Sequence, residues 1–322
     1  MNARKAVGTA LKALVTLGLL FLIFRTVDRS RIARNLSELD AGHLILLVVI
    51  CWGGQLLCAQ RWRLFAASLD MGDSYRTFAQ LYFVGMFFNI GLPSLIGGDV
   101  VKAYIVSRKT RKSLQAGLAS ALQDRAAGLV SLVVYGSAAV LLRPMSWRGI
   151  PLGALYLIAW LGMLLAVWLV WKGDWIYRRF VVEEPSSAFQ KLVRAVADFH
   201  QALAGMRLDW RSILQIGGLS FLNSALVLWI YQQVAVAAGN AVSLLSFSAL
   251  FPLINLLTMV PVSFSGIGIR EWAYVEALSL LGVPADRALI VALSTSALVI
   301  VVNFAGIVFL PSVPSELRHQ QS

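Results

Sequence analysis

Asp99, Lys102, Asp124, Arg125, Arg270, Glu271 and Glu276 all lie in or beside long apolar runs. A charge at membrane depth costs about 2.5–3.5 kcal/mol on insertion scales, so such groups pair with one another or line a cavity. Two kinds of chemistry are open to them. Asp124-Arg125 and Arg270-Glu271 can be internal ion pairs that fix one helix against another. Alternatively, Lys102, Arg125 and Arg270 offer positive charge to an anionic headgroup, with Asp99 and Glu271 orienting those cations or exchanging protons. The two are compatible, because a braced hairpin tip can still face a ligand. Gly97-Gly98 and Gly266-x-Gly268 stand where a helix restarts, and backbone N–H groups exposed there are a usual phosphate site. With Asn89, Pro93, Ser94 and Ser263 these residues form a candidate substrate-binding set. No catalytic residue, metal or cofactor is expected. His43, His200 and His319 are scattered, so neither a metal site nor a hydrolytic triad can be assembled from them. Cys51 and Cys58 share an apolar helix face without metal-ligand partners and read as packing.

Two interrupted segments must position these residues. Met86 to Lys102 begins as an apolar helix, breaks at Gly91-Leu92-Pro93-Ser94, and resumes after Gly97-Gly98 with Asp99 and Lys102. Asn255 to Glu271 has the same grammar: an apolar run, Pro261, Ser263, Gly266, Gly268, then Arg270-Glu271. Proline removes a backbone donor, and each glycine weakens a helix by roughly 1 kcal/mol. Broken backbone at membrane depth is tolerated only where protein or a water-filled cavity satisfies the freed groups.

The rest of the chain is membrane-like. At 58% hydrophobic and 14% charged residues it is too apolar for an ordinary soluble protein. Its net charge of +12 fits cytoplasmic loops facing anionic lipid better than nucleic acid, for which no soluble basic domain is present. Spans need about 20 apolar residues; runs at 6–26, 44–60, 114–142, 152–171, 213–236 and 287–310 supply six. The first follows Arg4-Lys5 but lacks a cleavage site, so it is kept as a membrane helix. Residues 61–63 (Arg-Trp-Arg) read as the stop after the second. Residues 186–204 form an amphipathic helix, either on the membrane surface or packed on the protein's own cytoplasmic face.

Basic loops at 102–112 and 172–211 place both on the cytoplasmic side, with both termini cytoplasmic as well. The interrupted segments 77–106 and 243–282 must then be re-entrant hairpins entered from opposite sides. The expected fold is all-α and polytopic: one transmembrane domain over 1–322, whose halves, 6–142 and 152–310, form an inverted repeat. Arg25, Arg29, Arg31 and Arg34 would be external, which strains the charge rule.

At the interrupted segments the chain resembles a known family. Phe88-Asn89-x-x-Leu92-Pro93-Ser94-x-x-Gly97-Gly98-Asp99-x-x-Lys102 is similar to the signature of the lysylphosphatidylglycerol synthase transmembrane-region family. Asp124-Arg125 with Gly128, and Pro261-x-Ser263 followed by Gly266-Ile267-Gly268-x-Arg270-Glu271, resemble its later motifs. In its best-understood relatives this region is the flippase half of a protein whose separate cytoplasmic domain synthesises aminoacylated phosphatidylglycerol. This sequence stops at Ser322 without such a domain, so aminoacyl transfer is not carried over. The resemblance implies a protein of a bacterial inner membrane that moves a phospholipid or polyprenyl-linked lipid across the bilayer. Lys102 stands where many relatives have arginine, which keeps the charge but gives up bidentate phosphate geometry. No G-x-x-x-x-G-K-[ST] motif occurs, so any coupling would use a gradient or the membrane potential. The alternatives are a membrane enzyme on a lipid-linked substrate, or an accessory subunit. A homodimer or a membrane-protein partner is left open.

Overall fold

A computed structural model describes residues 41–91, 97–172, 197–259 and 268–312. The expected span at 6–26, and Pro93, Ser94, Ser263 and Gly266, lie outside the described residues. The chain is helical, as the composition required: α1 (Ala41–Ala67), α2 (Tyr75–Gly91), α3 (Gly97–Thr110), α4 (Leu114–Leu142), α5 (Leu152–Trp171), α6 (Trp210–Ala237), α7 (Leu244–Thr258), α8 (Ile269–Ser279) and α9 (Ala285–Phe304), which runs on as a 3₁₀ helix over Ala305–Ser312. Five helices among the described residues, α1, α4, α5, α6 and α9 with its extension, are long and apolar enough to cross a membrane. Side-chain caps start three helices: Ser113 accepts from the Ala116 N–H, Asp209 from Ser212 and Ser243 from Ser246. Between α4 and α5 a two-residue ribbon pairs Ser146-Trp147 with Ile150-Pro151. Its Trp147 and Arg148 hold Glu276 of α8, each at 3.1 Å. Glu276 is therefore tied to a connecting turn.

Both interrupted segments are antiparallel helical hairpins. In the first, Lys109 of α3 reaches Asp73 (2.8 Å) and Thr77 (2.9 Å) at the mouth. At the closed end Gly98 packs on Gly85 and donates its N–H to Asn89 Oδ1 (2.8 Å). A Cβ on Gly98 would lie 1.8 Å from the Gly85 carbonyl oxygen, so the arms can only approach this closely without a side chain there. In the second hairpin, α7 begins beside the end of α8, with Ser243 and Ser246 near Leu280 and Leu281. Phe251 and Ile254 share a core with Ala273 and Tyr274 farther in. The arms of 17 and 14 residues, and of 15 and 11, reach about 16–25 Å at 1.5 Å per residue, short of a ~30 Å hydrocarbon core.

Packing pairs the elements across the two halves. α1 lies on α2, α3 on α4, and α2 on the α9 extension; correspondingly α6 lies on α7, α8 on α9, and α7 on α4. The central pair, α1 and α6, runs antiparallel. Leu47 shares a core with Ile230 and Val234, Gly54 abuts Asn223, and Arg61 reaches Ser220. Of the amphipathic segment, residues 197–204 are described and helical, with Ala197, His200 and Leu203 buried. His200 meets the Val170 carbonyl, and the Arg207 N–H donates to Ser68 O (3.3 Å). This part packs on the protein itself.

Two outcomes follow from the hairpin. Gly98→Ala should lower the unfolding temperature in detergent by overpacking, on the order of 1–3 kcal/mol. Gly53→Ala, which meets nothing within 4 Å, should be neutral; equal melting of the two would refute the close approach. At the mouth, burial pushes the Asp73 carboxyl up, but hydrogen bonds from Lys109, the Ser74 N–H and Thr77, with the Lys109 charge, bring it below its ordinary value. A depressed carboxylate stabilises above its unfolded value of about 3.9 and loses that contribution as pH falls through the folded value. Hydrogen exchange at residues 74–77 should therefore stay slow down to about pH 4 and accelerate only below it.

Candidate functional site

The first hairpin carries its charges into a network with α1 and α4. Asp124, 1% exposed, takes Arg61 Nε on Oδ1 at 2.7 Å. Its Oδ2 accepts from the Tyr82 hydroxyl (3.3 Å) and lies 3.7 Å from Lys102 Nζ. Lys102 Nζ is 3.0 Å from Asp99 Oδ1, and Asp99 Oδ2 accepts from Arg125 Nε. The order is Arg61, Asp124, Lys102, Asp99, Arg125: three cations alternating with two carboxylates. The Lys102 ammonium also sits 4.2 Å from the Tyr82 ring centroid and 4.8 Å from that of Trp62, so carboxylates and aromatic faces replace its water. Arg61 completes its shell with Ser220 Oγ at 3.2 Å and Cys58 Sγ at 3.8 Å. Arg125 differs, its side chain being 29% exposed against 4% for Lys102.

The second hairpin builds a smaller cluster. Gly268 caps α8 at φ +87°, a left-handed conformation that favours glycine. Glu271, 4% exposed, accepts the Gly268 N–H on Oε2 (2.5 Å) and the Ser296 hydroxyl on Oε1 (3.3 Å). Arg270 donates to the same Ser296 Oγ at 3.1 Å. Asp99 and Glu271 are thus matching features, each the third residue of a returning arm. The first network touches α6 at Ser220, and about 16 Å along that helix Tyr231 packs against the core that holds Tyr274.

The structure joins Asp99, Lys102, Asp124 and Arg125 in one network, bonds Asn89 to Gly98 beside it, and gathers Arg270 and Glu271 on Ser296 in another, with Gly268 bonded to Glu271. It corrects three expectations. The N–H groups of Gly98 and Gly268, expected to be open to phosphate, are satisfied internally by Asn89 and Glu271. Asp124 and Arg125 do not form the expected adjacent pair; they point to different partners, Arg61 and Asp99. Arg61 is not the stop of a span: α1 continues to Ala67 and buries it to 3% exposure. A signal for Arg61 existed. The run 44–60 is 17 residues, short of the ~20 a span needs, and completing it includes Arg61. A buried guanidinium is tolerated there because Asp124 and Ser220 replace its water.

Asp124→Asn removes half of the negative charge between these cations and should cost about 3–5 kcal/mol in thermal unfolding, as breaking buried pairs does. Arg61→Met with Asp124→Leu should recover much of that loss. A double variant no more stable than Asp124→Asn would contradict the pairing. The chain is 27% identical over 274 residues to a UPF0104 membrane protein of Methanothermobacter thermautotrophicus, covering 77% of this chain and 78% of that one. It is 26% identical over 202 residues to a UPF0104 membrane protein of Methanocaldococcus jannaschii, covering 61% and 80%. No solved structure matches. Residues 9–306 match the family described as the lysylphosphatidylglycerol synthase TM region, and the chain belongs to that family.

Proposed function

We propose that the protein is a flippase-type transporter that moves an anionic, phosphate-bearing lipid across the cell's inner membrane. One observation carries this reading. Among the described residues, Arg61, Lys102 and Arg125 are joined with Asp99 and Asp124 in a network set among membrane helices, and the network ends at Arg125, whose side chain is part-exposed where an anionic headgroup can reach it. Arg125 is the entry point, because its guanidinium is the most exposed part of the network and can grip a phosphate through paired N–H groups. Lys102 and Arg61 brace it from behind. The acyl or prenyl tails stay in lipid, against surfaces such as the exposed apolar side chains of α5.

Alternating access follows from reading the paired packing of the halves as an inverted repeat, in which interrupted segments meet near the midplane and one half rocks against the other. The antiparallel crossing of α1 and α6 supports that reading, since counterpart helices of an inverted repeat run in opposite directions. The family's association with a phospholipid-modifying enzyme supports the ligand class.

Proteoliposomes carrying fluorescent phosphatidylglycerol or phosphatidylcholine, bleached from outside, test it. Wild type should redistribute the anionic lipid faster. Arg125→Gln should lower that rate by about tenfold or more, a loss of roughly 1.4 kcal/mol, with normal insertion. Arg125→Lys should fall between. Equal rates in wild type and Arg125→Gln would remove Arg125 from the site, and chemical conversion of the lipid without redistribution would point to an enzyme.

A further inference from the structure

Three hydroxyls beside the second hairpin make no hydrogen bond among the described residues: Tyr274 OH, Ser294 Oγ and Thr295 Oγ1. The residues are 1%, 7% and 3% exposed. Tyr274 stands one turn beyond Arg270 on α8, while Ser294 and Thr295 precede Ser296, the residue that Glu271 and Arg270 share. The Tyr274 hydroxyl faces Thr295 without closing a hydrogen bond to it, and lies within reach of the charges on Arg270 and Glu271. Leaving a buried hydroxyl unsatisfied costs about 1–3 kcal/mol. Polar groups grouped in this way are normally satisfied by internal water.

We infer that these hydroxyls hold water that carries protons to Glu271, making the second hairpin a proton-coupling site; this rests on the transport reading above. The step is a single transfer. Hydronium in the water site gives its proton to Glu271 Oε2, leaving water and a neutral carboxylic acid. The neutral acid is a weaker acceptor for the Gly268 N–H than the carboxylate, so the cap of α8 weakens, while Arg270 loses the neighbouring negative charge. Protonation thereby loosens the returning arm at its first turn, where the chain enters the broken segment.

The groups facing Glu271 are few. Arg270 and Tyr274 come from its own helix, and Tyr231 of α6 packs against the core that holds Tyr274. α7 contains no titratable residue, and those of α9, Asp286 and Arg287, are at its far start. In the first hairpin the matching acid, Asp99, is held between Lys102 and Arg125. Glu271 accepts instead from a hydroxyl, that of Ser296.

Two arms test the inference. In thermal unfolding, Tyr274→Phe and Thr295→Val should both lower the melting temperature, because each removes a partner of bound water. Unchanged or raised melting would show a dry site and overturn it. In phosphatidylcholine vesicles doped with fluorescent phosphatidylglycerol and loaded with a pH-sensitive dye, wild type should move protons with the lipid. Glu271→Gln, which keeps an oxygen to cap Gly268, should lose the proton flux, and Glu271→Asp should retain part of it. Lipid movement without protons in wild type, or unchanged proton flux in Glu271→Gln, would overturn the coupling alone. Absence of any lipid movement would overturn coupling and transport reading together.

Discussion

The structure depends on one carboxylate. Asp124 is almost wholly removed from solvent and stands between a guanidinium on α1 and an ammonium on α3. Neither cation would be tolerated at its depth alone, and neither helix would hold its place without the contact. Asp124 therefore does the work of a bolt. It fixes the returning arm of the first hairpin to two membrane-crossing helices and sets the distance at which Asp99 and Arg125 reach the network's open end. The buried members are consumed in bracing one another, and the part-exposed Arg125 stands at the network's open end.

The two halves share an arrangement and differ in what they place within it. Each hairpin returns through a glycine, carries an acid on the third residue of the returning arm, and packs that arm on the next long helix. In the first half that helix answers with Asp124 and Arg125; in the second it answers with Ser294, Thr295 and Ser296. On α6, Tyr231 stacks on Phe251 with ring centroids 4.8 Å apart. One hairpin is thus built around permanent charge, the other around hydroxyls and a single acid.

Much of this was legible in the sequence because membrane-crossing helices and their interruptions obey strong rules. Pro93 and the glycine pair marked the first break, Pro261 and Gly268 the second, and the charged residues near them were too costly to be incidental. Pairing was not legible. Asp124 and Arg125 are neighbours in sequence and so looked like partners, but consecutive helical residues point about 100° apart and each finds its counter-charge on another element. Arg61 escaped because an Arg-Trp-Arg cluster after an apolar run has the composition of an interfacial stop. Only the three-dimensional position of Asp124 shows why it is inside. Gly97-Gly98 reads as a phosphate cradle because a restarting helix exposes N–H groups; the Asn89 side chain that occupies one of them comes from the opposite arm, a contact that no local spacing encodes.

The central claim is that Arg125, at the exposed end of the network, holds an anionic headgroup. Native mass spectrometry of the purified protein with phosphatidylglycerol and phosphatidylcholine in competition tests it most directly. The account expects wild type to retain the anionic lipid preferentially and Arg125→Gln to lose that preference while remaining folded. Equal retention of the two lipids by wild type, or an undiminished preference in Arg125→Gln, would contradict it.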